Sequence, residues 1–184
     1  MRKMNYDALL VCKLQGMAFE ASLDKLSWDS YTFIERYMFS EFTKEDMDTD
    51  RIMLINETEN SMVDHIKEEY KNKRRPRGRS DFTKYGREEM FWMGYIYRYM
   101  AYINQISSQQ CFRIIKPNEL RGLYLPYHSL DCENAINRIL EEKGYDFTPE
   151  GLNRRAMEIY REIFKERRER ENKEKITIIS NKLS

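Results

Sequence analysis

REEMFWMGYIYRYMAYINQ, residues Arg87 to Gln105, decides the fold. Met90, Phe91, Met93, Gly94, Ile96, Tyr97, Met100, Ala101 and Ile103 leave almost no polar face at helical spacing. The segment is therefore expected as a helix through the middle of a core. Gly94 and Ala101 lie seven apart and keep one side thin enough for another helix to come close. Arg98 is the exception. A charge on an interior helix must reach solvent along its own stem or meet an acid, since an unpaired buried charge is costly. Structural pairing is the reading for Arg98, and the aromatic segment around Tyr97 reads as an interior strut.

Working outward, apolar periodicity and end signals place further helices on both sides. Asn5 or Asp7 caps a first helix to about Leu23, with Leu9, Leu10, Leu14, Met17, Phe19 and Ala21 inside and Lys13, Gln15 and Glu20 outside. Asp29 starts a second, whose Tyr31, Phe33, Ile34, Tyr37 and Met38 are spaced for burial. The acidic stretch Glu41–Asp50 reads as a loop or one helical turn, and Arg51–Ile55 fits a brief strand and a helix equally well. Asn60 caps a helix that buries Met62, Val63, Ile66 and Tyr70. After the central helix, Ser107 or Ser108 caps a short helix to Ile115, and Pro117 opens another to about Leu123. Tyr124–Ser129 (YLPYHS) is an aromatic turn, with Tyr127 and His128 read as bonding the loop that positions the Asp131 cap. Asp131 then starts a helix with Ala135, Ile136, Ile139 and Leu140 inward and Gly144 as its stop. Thr148–Pro149–Glu150 signals a last long helix. Its charged second half, KERRERENKEK, carries correctly oriented i,i+4 pairs and reads as solvated.

The expectation is an all-α, multi-helix bundle around a central aromatic helix, with a protruding C-terminal helix. Residues 1–147 form the helical core domain, with a mobile basic loop at 73–86, and residues 148–184 form a helical extension with a frayed tail. Composition agrees: the chain has only seven Gly and four Pro, too little turn material for a many-stranded fold. Its 32 basic and 31 acidic residues nearly cancel, which argues against a uniformly basic nucleic-acid coat protein. Cys12, Cys111 and Cys132 are odd in number, far apart and flanked by apolar residues, so buried free thiols in a reducing compartment are expected. Ala8–Cys12 is too short for a secretory h-region, and Met90–Ile106 is too short and too polar for a membrane span. A cytoplasmic protein without membrane association is the expectation.

Lys73–Arg79 (KRRPRGR) holds five basic residues and no acid, and is broken by Pro76 and Gly78. The bland reading is a solvated charge run. The sharper one is a loop in which Lys73, Arg74, Arg75, Arg77 and Arg79, assisted by Lys84 and Arg87, grip an acidic protein surface or a phosphate backbone. Catalytic signatures are thin. His65 reads as a surface residue, and a His128–Cys132 nucleophile pair would be opposed by the acid at the helix cap. No metal-ligand spacing and no phosphate-binding loop is present, so neither metal nor cofactor is expected.

The run from Met90 to Ile139 resembles small bacterial proteins carried on mobile elements and described as antitoxin-like. The resemblance rests on the aromatic helix Gly94–Tyr99 (GYIYRY), Ser107–Ser108, the turn Lys116–Leu120 (KPNEL), the loop His128–Asp131 (HSLD) and Ala135–Ile136. The opening Lys13–Glu20 (KLQGMAFE) matches as well. About two thirds of the chain is touched, and the basic loop and the last helix are less typical. The resemblance implies neutralisation of a partner toxin, an ADP-ribosyltransferase-type enzyme encoded nearby. The expected function is therefore a non-catalytic protein-binding inhibitor, in a toxin–antitoxin system. The alternatives are an anti-CRISPR or other anti-defence inhibitor of a nuclease, with the acidic stretch Glu41–Asp50 in a nucleic-acid channel, and a DNA-binding regulator using the basic loop.

Overall fold

The computed structural model describes residues 2–49, 56–73, 83–157, 160–161, 164–165 and 167–168. It is all-α, and among the described residues no strand occurs. Two units divide at residue 145, Met1–Tyr145 and Asp146–Ser184. No helix of the described residues is long and apolar enough to cross a membrane.

In the first unit, α1 (Tyr6–Lys25) begins where the Asn5 side chain accepts the Ala8 N–H, and α2 (Ser30–Phe39) where Asp29 accepts the Thr32 N–H. α3 spans Glu59–Glu69, α4 Arg87–Asn104, α5 Ser108–Ile114, α6 Pro117–Gly122, α7 Tyr124–Tyr127 and α8 Cys132–Glu142. α4 is the core helix. α1 packs along it, and α5, α6, α7 and α8 all touch it. Met90, Met93, Ile96, Tyr97 and Met100 have no solvent exposure. The Tyr97 hydroxyl donates to Ile115 O at 2.8 Å, so the ring is tied at its far end to the residue that closes α5.

The close approach of α1 and α4 is made by two glycines facing each other. A Cβ on Gly94 would lie 2.8 Å from Gln15 O and 2.8 Å from Phe19 Cγ, and one on Gly16 would lie 2.9 Å from Phe91 O. This proximity explains a departure from expectation. Gln15, expected outside, is fully buried and donates its amide to Gly94 O at 3.0 Å. Leu9 and Leu10, expected inside, are exposed, because the apolar face of α1 is wider than its neighbours cover.

The start of α3 differs from expectation. α3 is capped by Thr58, which accepts the Ser61 N–H while Ser61 Oγ accepts the Thr58 N–H, so Asn60 falls inside the helix. Ser107 rather than Ser108 caps α5. The acidic stretch after α2 forms a short helical turn, one of its two expected readings, and Thr43–Met47 winds as a π-helix. Asp131 caps α8 as expected, accepting the Glu133 and Asn134 N–H groups at 3.0 and 3.3 Å. Asp131→Ala is expected to lower stability by about 1 kcal/mol and Asp131→Asn by only a few tenths, read as urea midpoints at unchanged slope. Gly144, at φ +71°, closes that helix in the left-handed region.

The second unit starts at the Asp146–Thr148 turn. Thr148 Oγ1 donates to Asp146 Oδ1 at 2.6 Å and accepts the Gly151 N–H at 3.0 Å, and residues 149–157 are helical from there. Arg51–Ile55, read as a brief strand or a helix, Arg74–Arg79 of the basic loop and the frayed tail lie outside the described residues.

Candidate functional site

Arg98 meets its acid. Its guanidinium donates to Asp48 Oδ1 at 2.9 Å and to Met47 O at 2.6 Å, with side chains 5% and 11% exposed for Arg98 and Asp48. Asp48 also accepts the Ser108 N–H at 2.8 Å and the Ser108 hydroxyl at 2.7 Å. One carboxylate therefore joins the end of the π-helix, the interior of α4 and the first turn of α5, where the helix dipole favours negative charge. The acid was not identifiable from sequence. Asp48 sits in a run of exposed acids, and nothing in its spacing marks it as the one that turns inward.

Beside this pair lies a cavity of about 310 Å³, lined by residues of α1, the π-helix and the end of α4, among them Asp46, Asp48, Arg98 and Gln105. Two backbone irregularities border it. One is the π-helical turn, and the other is Gln105, which ends α4 at φ +53°, the only described residue other than glycine in the left-handed region. His128 does not line the cavity. Arg98 and His128 therefore do not converge on a common site.

His128 ends α7 within the aromatic turn. Its Nδ1 bonds the carbonyls of Tyr124 and Leu125 at 3.0 Å each, and its ring stacks on Tyr124 at 4.8 Å. Tyr127 donates its hydroxyl to Glu142 at 2.8 Å, bracing the last turn of α8 rather than the Asp131 cap. His65 is exposed and stacks on Phe42 at 4.7 Å, with Glu57 3.3 Å away.

Of the basic residues singled out, Lys73 pairs with Glu69 at 3.6 Å and lies over the Tyr70 ring. The Lys84 ammonium is held by the carbonyls of Leu23 and Leu26, where it caps the C-terminal end of α1. Arg87 pairs with Asp24 at 2.7 Å. Arg74, Arg75, Arg77 and Arg79 lie outside the described residues.

All three thiols are free. Burial pushes Cys12 and Cys111 up to about 12, and raises Cys132 as well, with Asp131 adding to the effect. Cys132, expected buried, is half-buried because it occupies the first turn of α8. In native protein at neutral pH, a thiol reagent is expected to modify Cys132 first, with Cys12 and Cys111 reacting only on unfolding. The same shifts fix an alkaline limit. Protonated thiols are favoured in the folded chain, so their contribution is complete below the ordinary value of 9 and is lost as pH rises toward 12.

No protein-family model, no curated protein and no solved structure matches this chain.

Proposed function

We propose that this protein is a non-catalytic inhibitor that neutralises a partner enzyme by binding it, in the manner of an antitoxin. The observation that carries the reading is the apolar stripe of the second unit. Leu152, Met157, Tyr160 and Phe164 are 48%, 55%, 58% and 44% exposed, and the Tyr160 and Phe164 rings lie 4.5 Å apart. Large exposed apolar side chains among charged ones are the pattern by which a helix enters a partner's groove. The first unit has exposed apolar side chains of its own, Tyr6, Leu9 and Leu10 of α1. The raised thiols and the saturated Asp48 support the same reading, since they belong to architecture rather than to a poised reacting group.

The test is affinity capture with the full-length protein, followed by assay of what is retained. The expected result is one enzyme, inhibited while bound, and lost from the Tyr160→Glu, Phe164→Glu double variant. Retention of that enzyme by the double variant, or full activity of the enzyme in the complex, would sink the proposal. The class of the captured enzyme separates the two inhibitor readings: an ADP-ribosyltransferase-type toxin for the antitoxin, a nuclease for the anti-CRISPR alternative. A regulator using Arg74, Arg75, Arg77 and Arg79 would instead retain DNA, and lose it when those four become Ala.

A further inference from the structure

We propose that the aromatic face built by Trp92, Tyr124, His128 and Leu125 is a docking surface for a cationic segment of a partner protein, rich in Arg. This deepens the partner-binding reading by naming the chemistry of the surface that is bound. Tyr124 stands between the other two rings, edge-on to Trp92 at 5.7 Å and stacked on His128 at 4.8 Å. Leu125, 78% exposed, projects from the same turn. Tyr95, three residues after Trp92 on α4, is half-buried, its ring 6.1 Å from that of the buried Tyr99. Aromatic faces arranged in this way accept a guanidinium in preference to other groups, and an apolar knob beside them fits a neighbouring pocket.

Three carboxylates lie around the face. Glu88 accepts the Tyr124 hydroxyl at 3.1 Å. Asp131 and Glu133 open α8 and are exposed. Burial raises both Tyr95 and Tyr99; in Tyr99 the carboxylates of Asp131 and Glu133 come next, while in Tyr95 Asp131 adds the least, after Cys12, Cys132 and Tyr99. No cation pairs with Glu88, Asp131 or Glu133 among the described residues. Two cations of neighbouring elements have contacts of their own: Arg121 is bound to Glu89 at 3.1 Å and lies over the Tyr85 ring, and Arg138 lies 6.0 Å over Tyr127. A surface with aromatic faces and uncompensated carboxylates attracts Arg and Lys and repels acidic partners and phosphate backbones.

The experiment titrates fluorescein-labelled nona-arginine into the full-length protein and follows anisotropy, with nona-glutamate as the control. Nona-arginine is expected to bind and nona-glutamate not to bind. Glu88→Gln with Glu133→Gln should weaken binding by about tenfold, the loss for two surface charges facing a polycation. Trp92→Phe, which keeps the packing but weakens the cation–π contact, should weaken it by about threefold. Glu41→Gln with Glu45→Gln, on a separate acidic stretch, should leave affinity unchanged. The proposal is overturned if the wild type does not bind nona-arginine, if the Glu88/Glu133 pair binds as wild type does, or if the Glu41/Glu45 pair loses as much. Because the probe is a synthetic peptide, its failure leaves the capture of a partner enzyme standing, and failure of that capture leaves the peptide result standing.

Discussion

Asp48→Ala is expected to lower the free energy of unfolding by about 3–5 kcal/mol, the range for stripping one partner from a buried ion pair. Arg98 would keep its charge in the interior with a single carbonyl, Met47 O, as acceptor, and the Ser108 N–H and hydroxyl would lose their acceptor together. The reverse change is milder. Arg98→Met keeps an apolar stem in place of the arginine and leaves Asp48 two bonds from Ser108, so about 1–2 kcal/mol is expected. The double variant should then be more stable than Asp48→Ala alone, because no charge is left stranded. Urea unfolding of the four proteins measures all of this. Asp48→Ala within about 1 kcal/mol of wild type, inside the ordinary spread of mutations, would show that Arg98 finds another partner.

Gly94→Ala is expected to cost about 3 kcal/mol, the upper end for overpacking. The added methyl meets Gln15 O and the ring of Phe19, which is itself fully buried, and one of these is backbone. Relief requires α1 to move off α4, which would also break the bond from the Gln15 amide to Gly94 O. The thermal midpoint should fall by several degrees. Gly122→Ala is the contrasting control: nothing lies within 4 Å of the new carbon, and it sits in the last turn of α6, so stability should be unchanged or slightly higher.

These two sites also mark how far the sequence is legible. The run Met90–Ile103 announces its own burial, and Asn5, Asp29, Ser107, Pro117, Asp131 and Gly144 set helix ends by local chemistry that needs no tertiary knowledge. Arg98 was legible as a demand for an acid. Which acid answers it was not, because Asp48 lies fifty residues away in the chain and pairing across that distance leaves no trace in spacing. The π-helix was hidden for a related reason: Thr43–Met47 carries no pattern that separates a wide turn from an α-turn, and its form follows from where Met47 O and Asp48 must point. Gln15 was misplaced because amide residues on a helix are normally solvated, and only the paired glycines let its side chain reach a main-chain carbonyl. The face around Trp92 was invisible for want of a period, since it gathers residues from α4, α7 and the start of α8.

The structure thus separates two layers of polar chemistry. Inside, Arg98 bonds Asp48, the Gln15 amide bonds Gly94 O and the Tyr97 hydroxyl bonds Ile115 O, each tying α4 to a neighbouring element. Outside, aromatic and apolar side chains remain uncovered on α1, on the turn at Leu125 and along the second unit.

Stoichiometric titration of the captured enzyme with this protein tests that account most directly. Activity should fall in proportion to added protein and reach its floor at one equivalent, and the Arg98→Met variant, once shown to be folded, should inhibit equally well. Loss of activity at far below one equivalent, abolished by Arg98→Met in a folded variant, would instead reveal a catalyst acting on the enzyme and contradict inhibition by binding.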